Sequence, residues 1–297
     1  MKDYAILLDS TCNLVASDLK EYDLDYCLMT VSIDDKIYPA DLTWPDISEK
    51  EFYDIMRSGK RVFTQLITEE EFIKKFTKYL DMGKDILYIA CSSGLSGSVK
   101  VGKKVAEELM AKRNDGSKII VIDSLISGMG QGMMGIRASE LRKEGKSIDE
   151  VAEIIEKEKL NYNQFATVGS LTYLKNAGRV SASSAFFGNI IGIKPIIISD
   201  VKGHNYAYKK VRGRKAALEE IASSIVANCI DPENHALCVD SADCIQDAKE
   251  IIRLVEEKGV KFKRYYTNPC GPILGASCGP DVVISYFYGK EVTIAGE

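Results

Sequence analysis

Histidine is nearly missing from this chain. Its two copies, His204 and His235, stand far apart, and none of the eight cysteines forms a CxxC pair. No cluster therefore has the ligand spacing of a structural zinc site. The longest apolar run, Ala185 to Ile198, is interrupted by Lys194 and is too short for a membrane span. Thirty-nine basic against forty-three acidic residues give a net charge of -4, without the basic stripe that a nucleic-acid track requires. The nearest approach, Arg212-Gly213-Arg214-Lys215, reads as a solvated face or a contact for phosphate or an acidic partner. No Walker A string occurs, which removes the usual cradle for autonomous phosphoryl transfer. The opening Met1-Lys2-Asp3-Tyr4 runs into a strand-like segment with no secretory pattern, so reduced cysteines and a cytoplasmic location are expected.

What the chain does have is a repeating order of apolar strand, polar loop and helix. Tyr4-Ala5-Ile6-Leu7-Leu8 ends at Asp9-Ser10-Thr11, Asp85 to Ala90 ends at Ser92 to Ser98, and Lys118 to Asp123 ends at Ser124 to Ser127. Continuous apolar strands of this kind belong to a parallel sheet covered on both faces, whose ligands meet the carboxyl ends of the strands. Between them, Asp46 reads as the entry to a helix ending at Gly59. Thr68 followed by Glu69-Glu70-Glu71 reads as a capping box for a helix with Phe72, Phe76 and Leu80 on one face. With 297 residues and 45% hydrophobic content, the chain can bury a sizeable core and suits two domains.

The pattern changes near residue 160, after a helix predicted over Ile148 to Glu158. The boundary is placed there, giving domains 1-160 and 161-297. The second part is expected to hold strands Pro195 to Ser199, Tyr206 to Val211 and His235 to Asp240. Helices Lys215 to Ala227 and Ala242 to Glu257, a strand at Phe262 to Tyr266 and a sheet-edge strand at Val282 to Phe287 complete it.

Leu171-Thr172-Tyr173-Leu174-Lys175-Asn176-Ala177-Gly178-Arg179-Val180-Ser181 leads through a glycine-punctuated apolar run to Ile193-Lys194-Pro195. This stretch resembles the central signature of the DegV family of bacterial lipid-binding proteins. Asp9-Ser10-Thr11-Cys12 and Ser92-Ser93-Gly94-Leu95-Ser96-Gly97-Ser98 extend the resemblance over nearly the whole chain. The resemblance implies a DegV-like two-domain α/β fold, also called the EDD fold, with a parallel-sheet N-terminal domain and an α/β second domain. It further implies one enclosed long-chain fatty acid, whose carboxylate some members present to a separate ATP-dependent fatty acid kinase. On that reading the chain is a carrier in bacterial phospholipid metabolism. It is not an enzyme and needs neither metal nor nucleotide cofactor.

Residue by residue, the resemblance makes Ser93 and Ser96 candidates for the headgroup. Thr64, in Phe63-Thr64-Gln65, matches a serine of the family's Thr-Ser-Gln segment, while Phe63 replaces its threonine and becomes a candidate for the acyl pocket. Ser277 stands where the family usually has histidine, and Asp281 where it has glycine. Serine can still donate a hydrogen bond but offers no imidazolium charge. Asp281 would repel a carboxylate unless protonated, paired or turned away. Arg179 is placed near the exposed end of the ligand or at the partner, and Phe186, Phe187 and Ile190 line the acyl pocket or the core.

Each of these has a plainer explanation. The serine loop also reads as ordinary capping and turn chemistry, Arg179 as an interdomain ion pair, and Ala185 to Ile193 as packing between lobes. Gly130-Gln131-Gly132-Met133-Met134-Gly135 fits the GxGxxG string, but starts seven residues beyond Asp123 instead of in the strand-to-helix turn. Cys91 and Cys278 lack a histidine nearby in sequence, and Gly94-Leu95-Ser96-Gly97-Ser98 falls short of GxSxG. The alternatives to a carrier are an enzyme for a small carboxylate or phosphorylated substrate, and a ligand-free partner-binding module.

Overall fold

The computed structural model describes residues 2–113, 115–181 and 192–296. β1 (Tyr4–Asp9) lies parallel to β2 (Leu24–Cys27), which follows the short helix α1 (Ala16–Glu21). Next come β3 (Thr30–Ile33), β4 (Lys36–Pro39), α2 (Glu49–Arg57), β5 (Val62–Gln65) and α3 (Glu69–Asp81). Then β6 (Asp85–Ala90), α4 (Ser98–Lys112), β7 (Ile119–Asp123), α5 (Met129–Lys143) and α6 (Ile148–Glu158) complete the first half.

The parallel sheet has the order β2-β1-β6-β7, in register through Ile6 with Leu24 and Leu87, and Leu87 with Ile120. Every residue of β1 and β6 is buried, as the apolar runs require of strands covered on both faces. α3 packs with α4 and α5 with α6 to cover the sheet. The glycines of the GxGxxG string lie inside α5, where they permit close packing. A Cβ at Gly135 would stand 2.8 Å from Leu8, and one at Gly132 2.6 Å from the Cys12 carbonyl.

The stretch between Cys12 and Asp46 carries no assignment from its pattern. It supplies α1, β2, and the β3 and β4 strands of a separate antiparallel sheet, ordered β4-β3-β5. The entry to α2 also shifts from Asp46: Ser48 is the N-cap, accepting from the Glu51 N–H, because its hydroxyl stands three residues before that donor.

From Tyr162 onward the strands join a third sheet. β8 (Tyr162–Thr167), α7 (Leu171–Ala177) and β9 (Val180–Ser181) precede the hairpin β10 (Ile193–Ser199) and β11 (Asn205–Arg212). They are followed by α8 (Arg214–Asn228), β12 (Ala236–Ser241), α9 (Ile245–Glu257), β13 (Arg264–Tyr266), α10 (Pro272–Cys278) and β14 (Val283–Tyr288). The order is β13-β12-β14-β8-β10-β11-β9. β14 is therefore interior and not at the edge. It pairs antiparallel with both β12 and β8, and the polar Ser285 in the middle of the strand is buried and donates to the Phe165 carbonyl at 3.0 Å.

Side-chain alternation along this sheet divides two cores. Phe165, Ile196, Ile198, Val239 and Phe287 belong to the core that includes the α8 and α9 residues Ile221, Ile225 and Ile251. Their neighbours Ala166, Ile197, Cys238, Ile284 and Tyr286 join the core of the first half. A period of two thus makes one sheet a floor for two layers. A buried polar seam crosses the same junction: Asn13 Nδ2 donates to Asp240 Oδ2 at 2.8 Å, and its Oδ1 accepts from the Gly271 N–H at 3.0 Å.

Candidate functional site

Beside this packed junction two cavities open, of about 320 and 350 Å³, each of ligand-pocket size. They share Thr64, Arg179 and Ser277. The first is amphipathic: Met29, Leu66, Leu95, Ile273 and Leu274 give its apolar wall, while Thr11, Ser96, Ser127 and Asn205 bring polar atoms. The second is also of mixed character, with Arg61, Ser170, Thr172 and Asn176 beside Met56, Val62 and Phe63 in its lining.

Strand alternation decides what β5 contributes. Thr64 pairs in register with the buried Val31, whereas Phe63 pairs with Ser32, so the two side chains leave opposite faces. Thr64 is half-buried at the shared waist. Phe63 borders the second cavity, is 51% exposed, and has the Arg61 guanidinium 4.8 Å over its ring. It does not line the amphipathic cavity.

The serine loop divides in the same way. Ser96 lines the first cavity, its Oγ 2.9 Å from Ser98 Oγ, beside the start of α4. Ser93 points elsewhere: it is exposed, its N–H donates to Asp123 Oδ1 at 3.0 Å, and it borders a surface depression with Lys100 and Lys103. Ser92 is buried and structural, donating to the Gly203 carbonyl at 2.8 Å.

Arg179 follows the left-handed Gly178 that ends α7. Its Nε and Nη1 donate to the carbonyls of Leu95 and Ala177. Among the described residues it has no carboxylate partner, so the interdomain ion pair is not formed there and its charge faces the waist. Ser277, on α10, lines both cavities together with Thr64. Phe186, Phe187 and Ile190 lie outside the described residues.

The reactive-residue alternatives find little geometry. Cys91 and Cys278 are buried and burial pushes both thiols up, Cys278 to about 12, away from the thiolate a nucleophile needs. His235 stacks on Tyr288 at 4.3 Å and His204 lies at the β10–β11 turn beside Asp200. Neither lines either cavity. No group of three or more metal-ligating side chains is found among the described residues, and no described helix is long and apolar enough to cross a membrane.

A family model described as an uncharacterised DegV family matches residues 3–289. The chain belongs to the DegV family. A DegV domain-containing protein of Clostridium perfringens is 29% identical over 289 residues, covering 97% of this chain and 98% of the relative. One from Clostridium acetobutylicum is 30% identical, covering 95% and 98%. Among solved structures, a DegV family protein from Thermus thermophilus, described for its fatty acid binding, superposes with a TM-score of 0.88 at 24% identity, covering 98% of this chain and all of that one. A stearic-acid-binding protein from Eubacterium ventriosum gives 0.84 at 22%, covering 96% and 98%. These likenesses establish the mixed α/β DegV fold with its parallel sheet.

Within the DegV frame, the departure at Asp281 has a local explanation. Asp281 has φ +63, a conformation natural to glycine and tolerated by aspartate. Its carboxylate turns to Arg57, 3.1 Å away, instead of into the cavities. Thr11, Ser127 and Asn205 were not singled out from the sequence as site residues. Thr11 and Ser127 carry a signal, as parts of the first and third strand-end loops; Asn205 carries none.

Proposed function

We propose that this DegV protein binds a long-chain fatty acid, with the hydrocarbon in the amphipathic cavity and the carboxylate at the waist of Thr64, Arg179 and Ser277. The observation that carries this reading is the junction of an apolar-walled cavity with a cation that has no carboxylate partner among the described residues. Burying each methylene contributes about 0.8 kcal/mol, so a long tail supplies most of the affinity. The head needs only enough hydrogen bonds to offset its desolvation. Fatty acids bound by the solved relatives from Thermus thermophilus and Eubacterium ventriosum support the same ligand class.

The carrier is composed of lobes 1-160 and 161-297, works in the cytoplasm, and uses no cofactor. It presents the carboxylate to a separate fatty acid kinase, which forms the acyl phosphate from ATP. The second cavity, bordered by the exposed Arg61 and Phe63, leaves that carboxylate reachable from outside. Two assays test the two halves. Displacement of a fluorescent fatty acid by unlabelled long-chain acids must give saturable binding, and short-chain acids must fail to compete. Acyl phosphate must then form only when ATP, kinase and loaded carrier are combined. Saturable binding with carrier-independent acyl phosphate formation contradicts the presentation role.

A further inference from the structure

Thr11, on the wall of the amphipathic cavity, has hydrogen-bond partners that cannot all be served if each group takes its ordinary form. Its Oγ1 lies 2.5 Å from Asp9 Oδ1 and 2.6 Å from Gln131 Oε1. An ionised carboxylate and an amide oxygen are both acceptors, and a threonine hydroxyl has one hydrogen. Turning the Gln131 amide does not supply the other. Its Nε2 donates to the Ile89 carbonyl at 2.9 Å, and the reversed amide would set two oxygens against each other.

All three side chains are almost fully buried, at 0%, 2% and 0% exposure for Asp9, Thr11 and Gln131. The remaining contacts of Asp9 fit a carboxylic acid. Oδ2 accepts from the Cys91 N–H at 2.7 Å and from the Tyr88 hydroxyl at 3.4 Å, while Oδ1 accepts the Thr11 N–H at 2.9 Å. An acid hydroxyl on Oδ1 can accept that bond and donate to Thr11 Oγ1.

We propose that Asp9 carries a proton in the folded protein and heads a one-directional relay: Asp9 donates to Thr11, Thr11 to Gln131, and Gln131 to Ile89. No ion pair among the described residues involves Asp9. The titratable groups around it are Tyr88 and Cys91 from β6 and its end, Cys12 beyond β1, and Cys27 from β2. Lys75 of α3 is held by Asp25 at 3.0 Å. Burial raises the Asp9 carboxyl in keeping with this count.

The consequence rests on the fatty-acid reading. The acid behind the cavity wall is neutral, so a ligand carboxylate meets no like charge there. Thr11 has committed its hydrogen to Gln131 and offers the ligand no donor. Donors for the anion then come from Thr64, Ser96, Ser277 and Arg179, and Asp9 acts as a positioning residue.

Infrared difference spectroscopy of the full chain at neutral pH, wild type minus Asp9→Asn, tests the proton directly. The expected result is a carboxylic-acid carbonyl band that shifts in D2O and is missing from the variant; its absence from the difference overturns the proposal. The subtraction cancels any band from Asp240. If Asp9→Asn does not fold, Asp9→Ser removes the carboxyl while keeping a hydroxyl and serves the same subtraction. Calorimetry of fatty-acid binding in two buffers of different ionisation enthalpy adds a second readout. No proton uptake by Asp9 is expected, whereas uptake of about one proton per ligand that disappears in Asp9→Asn means Asp9 was ionised beforehand. Failure to bind fatty acid would count against the carrier reading and leave the infrared result standing.

Discussion

Ser92 Oγ donates to the carbonyl of Gly203 at 2.8 Å, and Gly203 adopts φ +78 with no space for a side chain. A Cβ there would stand 2.0 Å from Ser92 Oγ and 2.9 Å from Leu125 Cα. The loop after β6 is thereby fixed to the β10–β11 turn. Gly203→Ala should destabilise the chain by about 1–3 kcal/mol, and Ser92→Ala by about 1 kcal/mol. Urea denaturation checks both; an alanine at 203 with unchanged midpoint contradicts this contact.

The waist residues should separate from Ser93 in ligand affinity. Removing a hydrogen bond to a charged group costs about 1.5–3 kcal/mol, so Arg179→Ala should raise the Kd for a long-chain fatty acid roughly 10- to 150-fold. Thr64→Val and Ser277→Ala, which remove neutral donors to the same carboxylate, should each cost about 1.5 kcal/mol, the lower end of that range. Ser93→Ala should stay within about 0.5 kcal/mol of wild type. Direct titration of each purified variant with one fatty acid measures all four.

Asp240 makes stability depend on pH. Its carboxyl is fully buried with Oδ1 unpartnered, and burial pushes it up from 3.8 to about 8. The folded chain therefore keeps a proton that the unfolded chain releases across this interval. The associated stability is fully present below the ordinary aspartate range and is lost as pH rises through about 8. Asp240→Asn, compared with wild type by denaturation at several pH values, should show a shallower decline over that window. Equal slopes would mean that Asp240 is already ionised in the fold.

Thiol reactivity should follow burial. Cys12, Cys27, Cys91, Cys238, Cys270 and Cys278 are buried, whereas Cys229 and Cys244 are half-buried. Brief alkylation of the native chain followed by peptide mass spectrometry should label only the latter two, with the other six appearing after denaturation. Rapid native labelling of Cys91 would revive a nucleophile at the cavity.

How far the sequence could be read depends on how local the determining physics is. β1 and β6 are legible because burial on both faces demands uninterrupted apolar runs, and α6 because Ser147 and Glu150 form a complete capping box. β2 to β5 are only four residues long, and β4 is largely exposed, so their local pattern is weak and pairing defines them. The same limit affects the site. Ser93 and Ser96 look equivalent in the loop, yet one binds Asp123 through its backbone and the other lines the cavity. Thr11 and Gln131 meet across 120 positions, a relation no local motif carries. β14 shows the same limit: the strand is legible but its place is not, because the edge position expected for Val282 to Phe287 gives way to antiparallel pairing with both β12 and β8, partners distant in sequence.

The most direct test of the carrier role is native mass spectrometry of the full chain purified without added lipid, followed by organic extraction. The expected result is a non-covalent adduct whose extracted mass is that of a long-chain fatty acid, bound one per chain. A chain that stays ligand-free, and remains so after incubation with long-chain fatty acids, contradicts it.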